Sequence, residues 1–129
     1  MPLLHDQTIK NLSRRNPLNH PTVMIKRKVF EKGLRYRTDV GLVEDWQFWI
    51  DAANHGFRLA NINKNLLIFR RSADFIKKRS GLQNAISEFR VRRFARKTLK
   101  QDTLFNKIYA LAGFLFRISP LTIQKIIYP

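Results

Sequence analysis

Adjacent carboxylates at Glu44 and Asp45 stand directly ahead of Trp46, Trp49, Ile50 and Ala53, whose i, i+3, i+4, i+7 spacing marks one face of a helix. At a helix start a carboxylate meets free backbone N–H groups and the positive end of the helix dipole, both of which favour its ionised form. Such a group can take a proton from a hydroxyl as that hydroxyl attacks, which makes the pair a candidate general base. The same placement also suits an acid that only caps a surface helix. Upstream, His20 sits in an irregular turn between Pro17 and Pro21, where an imidazole can donate to a substrate or to backbone. Arg70, Arg71 and Arg79 belong to a basic run that could clamp phosphate oxygens or remain a solvated loop.

These residues need elements to hold them. Residues 6–11 read as a short helix ending at Ser13-Arg14-Arg15-Asn16-Pro17. Residues 21–26 read as a short strand, and 27–32 as a helix stopped by Gly33. Residues 34–41 read as loop, and the helix behind Glu44-Asp45 ends at Gly56. Apolar runs at 57–61 and 66–69, separated by the turn-prone Asn61-Ile62-Asn63-Lys64-Asn65, read as strands, and 70–80 as a basic loop. From Gly81 the character changes to long basic helices over 82–100 and 103–118, a break at Ser119-Pro120 and a short terminal helix. Glu88 faces Arg92 four residues on. These last helices read as an appendage rather than core.

At 129 residues the chain fits one ordinary domain. Its 25 Lys and Arg against 9 Asp and Glu give a formal charge of +16, a field that attracts nucleic acid, anionic lipid and sugar nucleotides alike. There is no cysteine, which removes disulfides and thiolate chemistry and fits a cytoplasmic setting. The segment 1–7 has neither a basic nor an apolar leader region, so no secretory signal is expected there. The longest apolar run, 108–116, falls far short of the roughly 20 residues that cross a bilayer. His5 and His55 stand apart without metal-ligand spacing and read as surface residues.

The order of motifs across residues 15–70 is specific. An Arg-Asn-Pro-x-Asn-His turn at 15–20 is followed by Thr22-Val23-Met24, Gly33, Glu44-Asp45 with Trp49, Gly56-Phe57, Asn61-Ile62 and Leu66-Leu67-Ile68-Phe69-Arg70. This set resembles the acceptor-side half of bacterial family-two glycosyltransferases that build capsule, O-antigen or exopolysaccharide. The likeness runs more loosely through 78–81 and Glu88, and into the terminal 119–128.

The resemblance implies an α/β chain: an incomplete GT-A type fold of a few short strands and helices over 1–80, followed by a basic amphipathic helical extension over 81–129. It implies Asp45 as general base with Glu44 shaping the site, and Asn19, His20, Arg70 and Arg79 binding substrate or diphosphate. Trp49 is expected to pack behind the carboxylates. A divalent cation, Mg²⁺ or Mn²⁺, is expected for the complete enzyme, held by an Asp-x-Asp motif of a donor-binding half. Asp6-Gln7-Thr8 is not that motif, and no residue here is assigned as a metal ligand. The implied partners are a nucleotide sugar, a glycan or lipid-linked acceptor and a separate donor-domain chain; alone, the chain is expected to be inactive.

The apolar surface of 104–116, with Lys107, Arg117 and Lys125 nearby, suits a helix lying in an anionic membrane interface, or one packed on protein. A peripheral position on the inner face of the cell membrane follows from the first. The charge also allows a nucleic-acid-binding protein, against which stands the lack of zinc-finger spacing, RNP-like aromatics or a Gly-rich clamp. A non-catalytic membrane-associated adaptor would leave the ordered motifs unexplained.

Overall fold

A computed structural model describes residues 1–70 and 74–127; Arg71 and Tyr128 lie outside them. Seven α-helices are formed among the described residues: α1 (His5–Leu12), α2 (Arg27–Glu31), α3 (Glu44–Asn54), α4 (Phe75–Arg79), α5 (Leu82–Thr98), α6 (Leu104–Ile118) and α7 (Leu121–Ile127). A single 3-10 turn, His20–Thr22, lies between α1 and α2.

The α/β architecture expected from the sequence is overturned, because no strand forms among the described residues. An extended segment becomes a strand only when a neighbour pairs its N–H and C=O groups. Instead, residues 57–61 are tied to the start of the chain: the Leu59 N–H donates to His5 Nδ1 at 3.1 Å, and the Asn61 N–H donates to the Leu3 carbonyl at 3.1 Å. The Asn61 side chain adds bonds to the carbonyls of Pro2 and Pro17. Residues 66–69 form no regular element, with Ile68 98% exposed, and 21–26 begins within the 3-10 turn. Part of the expected basic loop at 70–80 is the helix α4, whose Phe75 and Ile76 are half-buried.

Helix α3 is the centre of the core. Its Trp46, Phe48, Trp49, Ile50 and Ala52 are all buried and pack with Leu12, Leu18, Val29, Leu34 and Val43. Each large side chain so buried contributes about 1.5–3 kcal/mol. The Trp46 indole N–H donates to the Leu12 carbonyl at 2.9 Å, which locks α3 to the end of α1. Helix α5, read from sequence as part of an appendage, lends Val91 and Ala95 to this same core.

A polar network runs beside the Phe89–Phe114 ring contact that joins α5 to α6. Glu88 accepts from Arg92 at 2.9 Å and from Arg117 at 2.7 Å, and the Arg92 Nε donates to the Arg14 carbonyl at 2.8 Å. The Arg92 guanidinium also lies 5.1 Å over the Trp46 ring. Gly113 makes room for it, since a Cβ there would stand 3.1 Å from the guanidinium. The turn into α6 closes α5 with the Gln101 N–H on the Arg96 carbonyl and the Lys100 N–H on that of Lys97, which requires Lys100 to adopt φ 55°.

Candidate active site

Glu44 and Asp45 are the first two residues of α3, as their position ahead of the aromatic run predicts. The Asp45 Oδ1 accepts the Trp46 N–H at 2.7 Å, and its Oδ2 accepts from Asn16 Nδ2, also at 2.7 Å. Asn16 is itself held, because its Oδ1 accepts the Leu18 N–H at 3.2 Å in the turn that Pro17 begins. That bond fixes which end of the amide faces Asp45. A carboxylate oxygen has two lone-pair directions, so each Asp45 oxygen keeps one free after these contacts. One Glu44 oxygen, Oε2, is buried and has no hydrogen-bond partner among the described residues.

An aromatic wall stands beside the pair. The His20 ring meets Tyr36 edge-on at 5.5 Å and lies 6.1 Å from Trp49. Tyr36 stacks on Phe48 at 4.3 Å. Burial pushes the Tyr36 hydroxyl above its ordinary pKa, and the negative charges of Asp45 and then Glu44 push it further in the same direction. The phenol therefore stays protonated and keeps a donor within the field of both carboxylates. Trp49 is 2% exposed, which is a packing position.

Asn19 and Arg79 share a second feature, an open cleft of about 540 Å³. Phe69, Phe75 and Ile76 line its apolar side, and Arg117 and Gln124 its polar side. The Arg79 guanidinium rests 4.6 Å over the Phe75 ring. Asn19 directly precedes His20, so the turn at 16–20 connects the carboxylate pair to this cleft. Arg70 is exposed and does not line it. His5 is a structural acceptor for the Leu59 N–H, and His55 is bonded at 2.8 Å to the Asp51 carbonyl. Tyr36 and Asn16 had no role assigned from sequence. For Tyr36, the available signal was an aromatic residue in a loop bounded by Gly33 and Gly41, directly ahead of the acidic pair.

Among the described residues, no three His, Cys, Asp or Glu side chains converge. The donor set does not fit the divalent cation that the resemblance implies for a complete enzyme. No helix of the described residues is long and apolar enough to cross a membrane.

Comparison with known proteins agrees with the motif order. The chain is 24% identical over 129 residues to the amylovoran biosynthesis glycosyltransferase AmsE of Erwinia amylovora, covering 99% of this chain and 48% of that protein. It is 32% identical over 82 residues to the UDP-Gal:alpha-D-GlcNAc-diphosphoundecaprenol beta-1,3-galactosyltransferase of Escherichia coli, covering 64% of this chain and 30% of that protein. No family model matches, and no solved structure matches. The chain thus spans at most about half the length of these relatives. It is similar to bacterial polysaccharide glycosyltransferases, as residues 15–70 imply.

Proposed function

We propose that this chain supplies the acceptor-side half of a glycosyltransferase that moves a sugar from a nucleotide donor to a glycan or lipid-linked acceptor in polysaccharide biosynthesis. The observation that carries the reading is Asp45, oriented by Asn16 at the start of α3, in a chain aligned along nearly its whole length with one such enzyme. The Escherichia coli relative is named for a diphosphoundecaprenol-linked acceptor, which favours a lipid-linked substrate here.

In this reading the free lone pair of Asp45 accepts the proton of an acceptor hydroxyl. The oxygen attacks the anomeric carbon of the donor, the bond from that carbon to the diphosphate breaks, and the nucleoside diphosphate leaves with inversion. Tyr36 donates to the acceptor sugar, and His20 orients it from the adjoining turn. Arg79 in the cleft, with Arg70 as a more distant cation, offsets the charge of the leaving diphosphate. The cation expected for the complete enzyme takes its ligands from a donor-binding region, which a longer chain or a separate partner would provide. Work on a lipid-linked acceptor would put the protein at the inner face of the cell membrane.

Positioning of the donor supplies much of the rate in such a transfer, so the isolated chain should release no nucleoside diphosphate from nucleotide sugars with Mn²⁺ and a lipid acceptor. Joined behind the amino-terminal part of the Erwinia relative, it should do so. Turnover by the isolated chain would contradict the half-site reading.

A further inference from the structure

Helix α6 is inverted relative to an ordinary packed helix. The residues it buries are Asn106 and Ala110, with Gly113 and Arg117 continuing that stripe against the Arg92–Glu88 pair. Asn106 is held there by Arg14 at 2.8 Å. The opposite stripe, Leu104, Ile108, Leu111, Leu115 and Ile118, follows i, i+4, i+7, i+11, i+14 and is 45–74% exposed. Helix α7 repeats the pattern, burying Gln124 and leaving Ile126 and Ile127 79% and 59% exposed. An apolar stripe of this length facing water is unusual and marks an interaction site.

We infer that the outer faces of α6 and α7 dock on an anionic lipid bilayer, lying in its interface. Charge complementarity selects this partner. No Asp or Glu occurs after Asp102, Lys125 is exposed on α7, Arg90 and Arg93 are exposed on the neighbouring α5, and Lys107 is shared with Asp102 at 3.3 Å. A second copy of the chain would bring another +16 to the contact, which opposes self-association through this face. Nucleic acid would satisfy the cations and leave the leucine stripe in water. At about 1.5 Å per residue, α6 is about 22 Å long, shorter than a bilayer core of about 30 Å, so the stripe lies along the surface. This surface is independent of the transfer chemistry at Asp45. The Phe114 side chain does not belong to it, because that ring packs edge-on against Phe89 at 5.9 Å.

The test is sedimentation of the full chain with vesicles of phosphatidylcholine alone or mixed with phosphatidylglycerol. Binding to the mixed vesicles is expected, with raised salt weakening it. The exposed-site variant Leu111→Ser/Leu115→Ser should lower partitioning by at least about tenfold with the helical circular dichroism unchanged. Arg93→Glu/Lys125→Glu, at two exposed cations, should weaken binding to the mixed vesicles through charge. Failure to bind mixed vesicles overturns the inference, whether the chain then remains free, self-associates through the leucine stripe or binds only duplex DNA. Binding that both variants leave intact overturns it equally. None of these outcomes depends on glycosyl transfer, so this inference and the functional reading fail separately.

Discussion

Asn16 and Asp45 are 29 residues apart in sequence and joined side chain to side chain at 2.7 Å, with the amide of Asn16 fixed by the Leu18 N–H. Asn16 is therefore a positioning residue: it aims the carboxylate. In the joined enzyme, Asn16→Ala should lower kcat by about 10- to 100-fold, the scale of losing one hydrogen bond to a charged group, about 1.5–3 kcal/mol. KM for the donor should stay nearly unchanged, because the bond acts on the base and not on donor binding. A purely structural role would lower stability and leave kcat of the folded enzyme in place.

Gly113 of α6 leaves room for the Arg92 guanidinium of α5. An alanine at 113 gains up to about 1 kcal/mol of helix propensity at an ordinary helical site. Here its Cβ would stand 3.1 Å from a guanidinium already held by Glu88, the Arg14 carbonyl and the Trp46 face. Gly113→Ala should therefore destabilise the fold by about 1–2 kcal/mol, the cost of forced overpacking. Urea unfolding reads this, and a cycle with Arg92→Ala should recover most of the loss.

Lys100 carries φ 55° at the close of α5, a conformation that costs a side-chain-bearing residue about 1–2 kcal/mol. Lys100→Gly should raise stability by up to about 1 kcal/mol after the extra unfolded-state freedom of glycine is deducted. Thermal unfolding checks this.

Burial lifts the Asp51 carboxyl above its ordinary pKa, against the opposing bond from Gln47 and the charges of Arg37 and His55. The folded chain then binds this proton more tightly than the unfolded chain does. Stability from this group therefore falls as pH rises through the carboxylate range, and the cost of the buried charge is fully present above the folded pKa. Asp51→Asn should raise the unfolding midpoint at neutral pH, and the gain should vanish below about pH 4, where the unfolded carboxyl is protonated too.

The helices were legible where apolar residues repeat at helical spacing. Trp46, Trp49 and Ile50 mark α3, and Gly33 and Gly56 follow the ends of α2 and α3. The strands expected at 57–61 and 66–69 do not form because a short apolar run names no pairing partner. At 57–61 the partners lie at the start of the chain, Leu3 and His5, which no local pattern encodes. The cationic stretch of α5 reads from sequence as part of an appendage, yet Arg92 and Arg96 are 7% and 6% exposed because Glu88 and Asp102 receive them. Of the site, the carboxylate pair was readable from its place before a helix. Tyr36 was not, because a lone aromatic in a loop has no period, and it is held near Asp45 by packing on Phe48, His20 and Trp49.

The most direct test of the central claim is turnover of Asp45→Asn in the chain joined behind the amino-terminal part of the Erwinia relative, measured as nucleoside diphosphate released with acceptor present. Asparagine keeps the size and can still face Asn16, but it cannot take a proton. The account predicts a fall in kcat of about 10²–10⁴, the range for removing a general base, with little change in KM for the donor. Near-normal turnover in Asp45→Asn, with activity lost instead in Glu44→Gln, would contradict it.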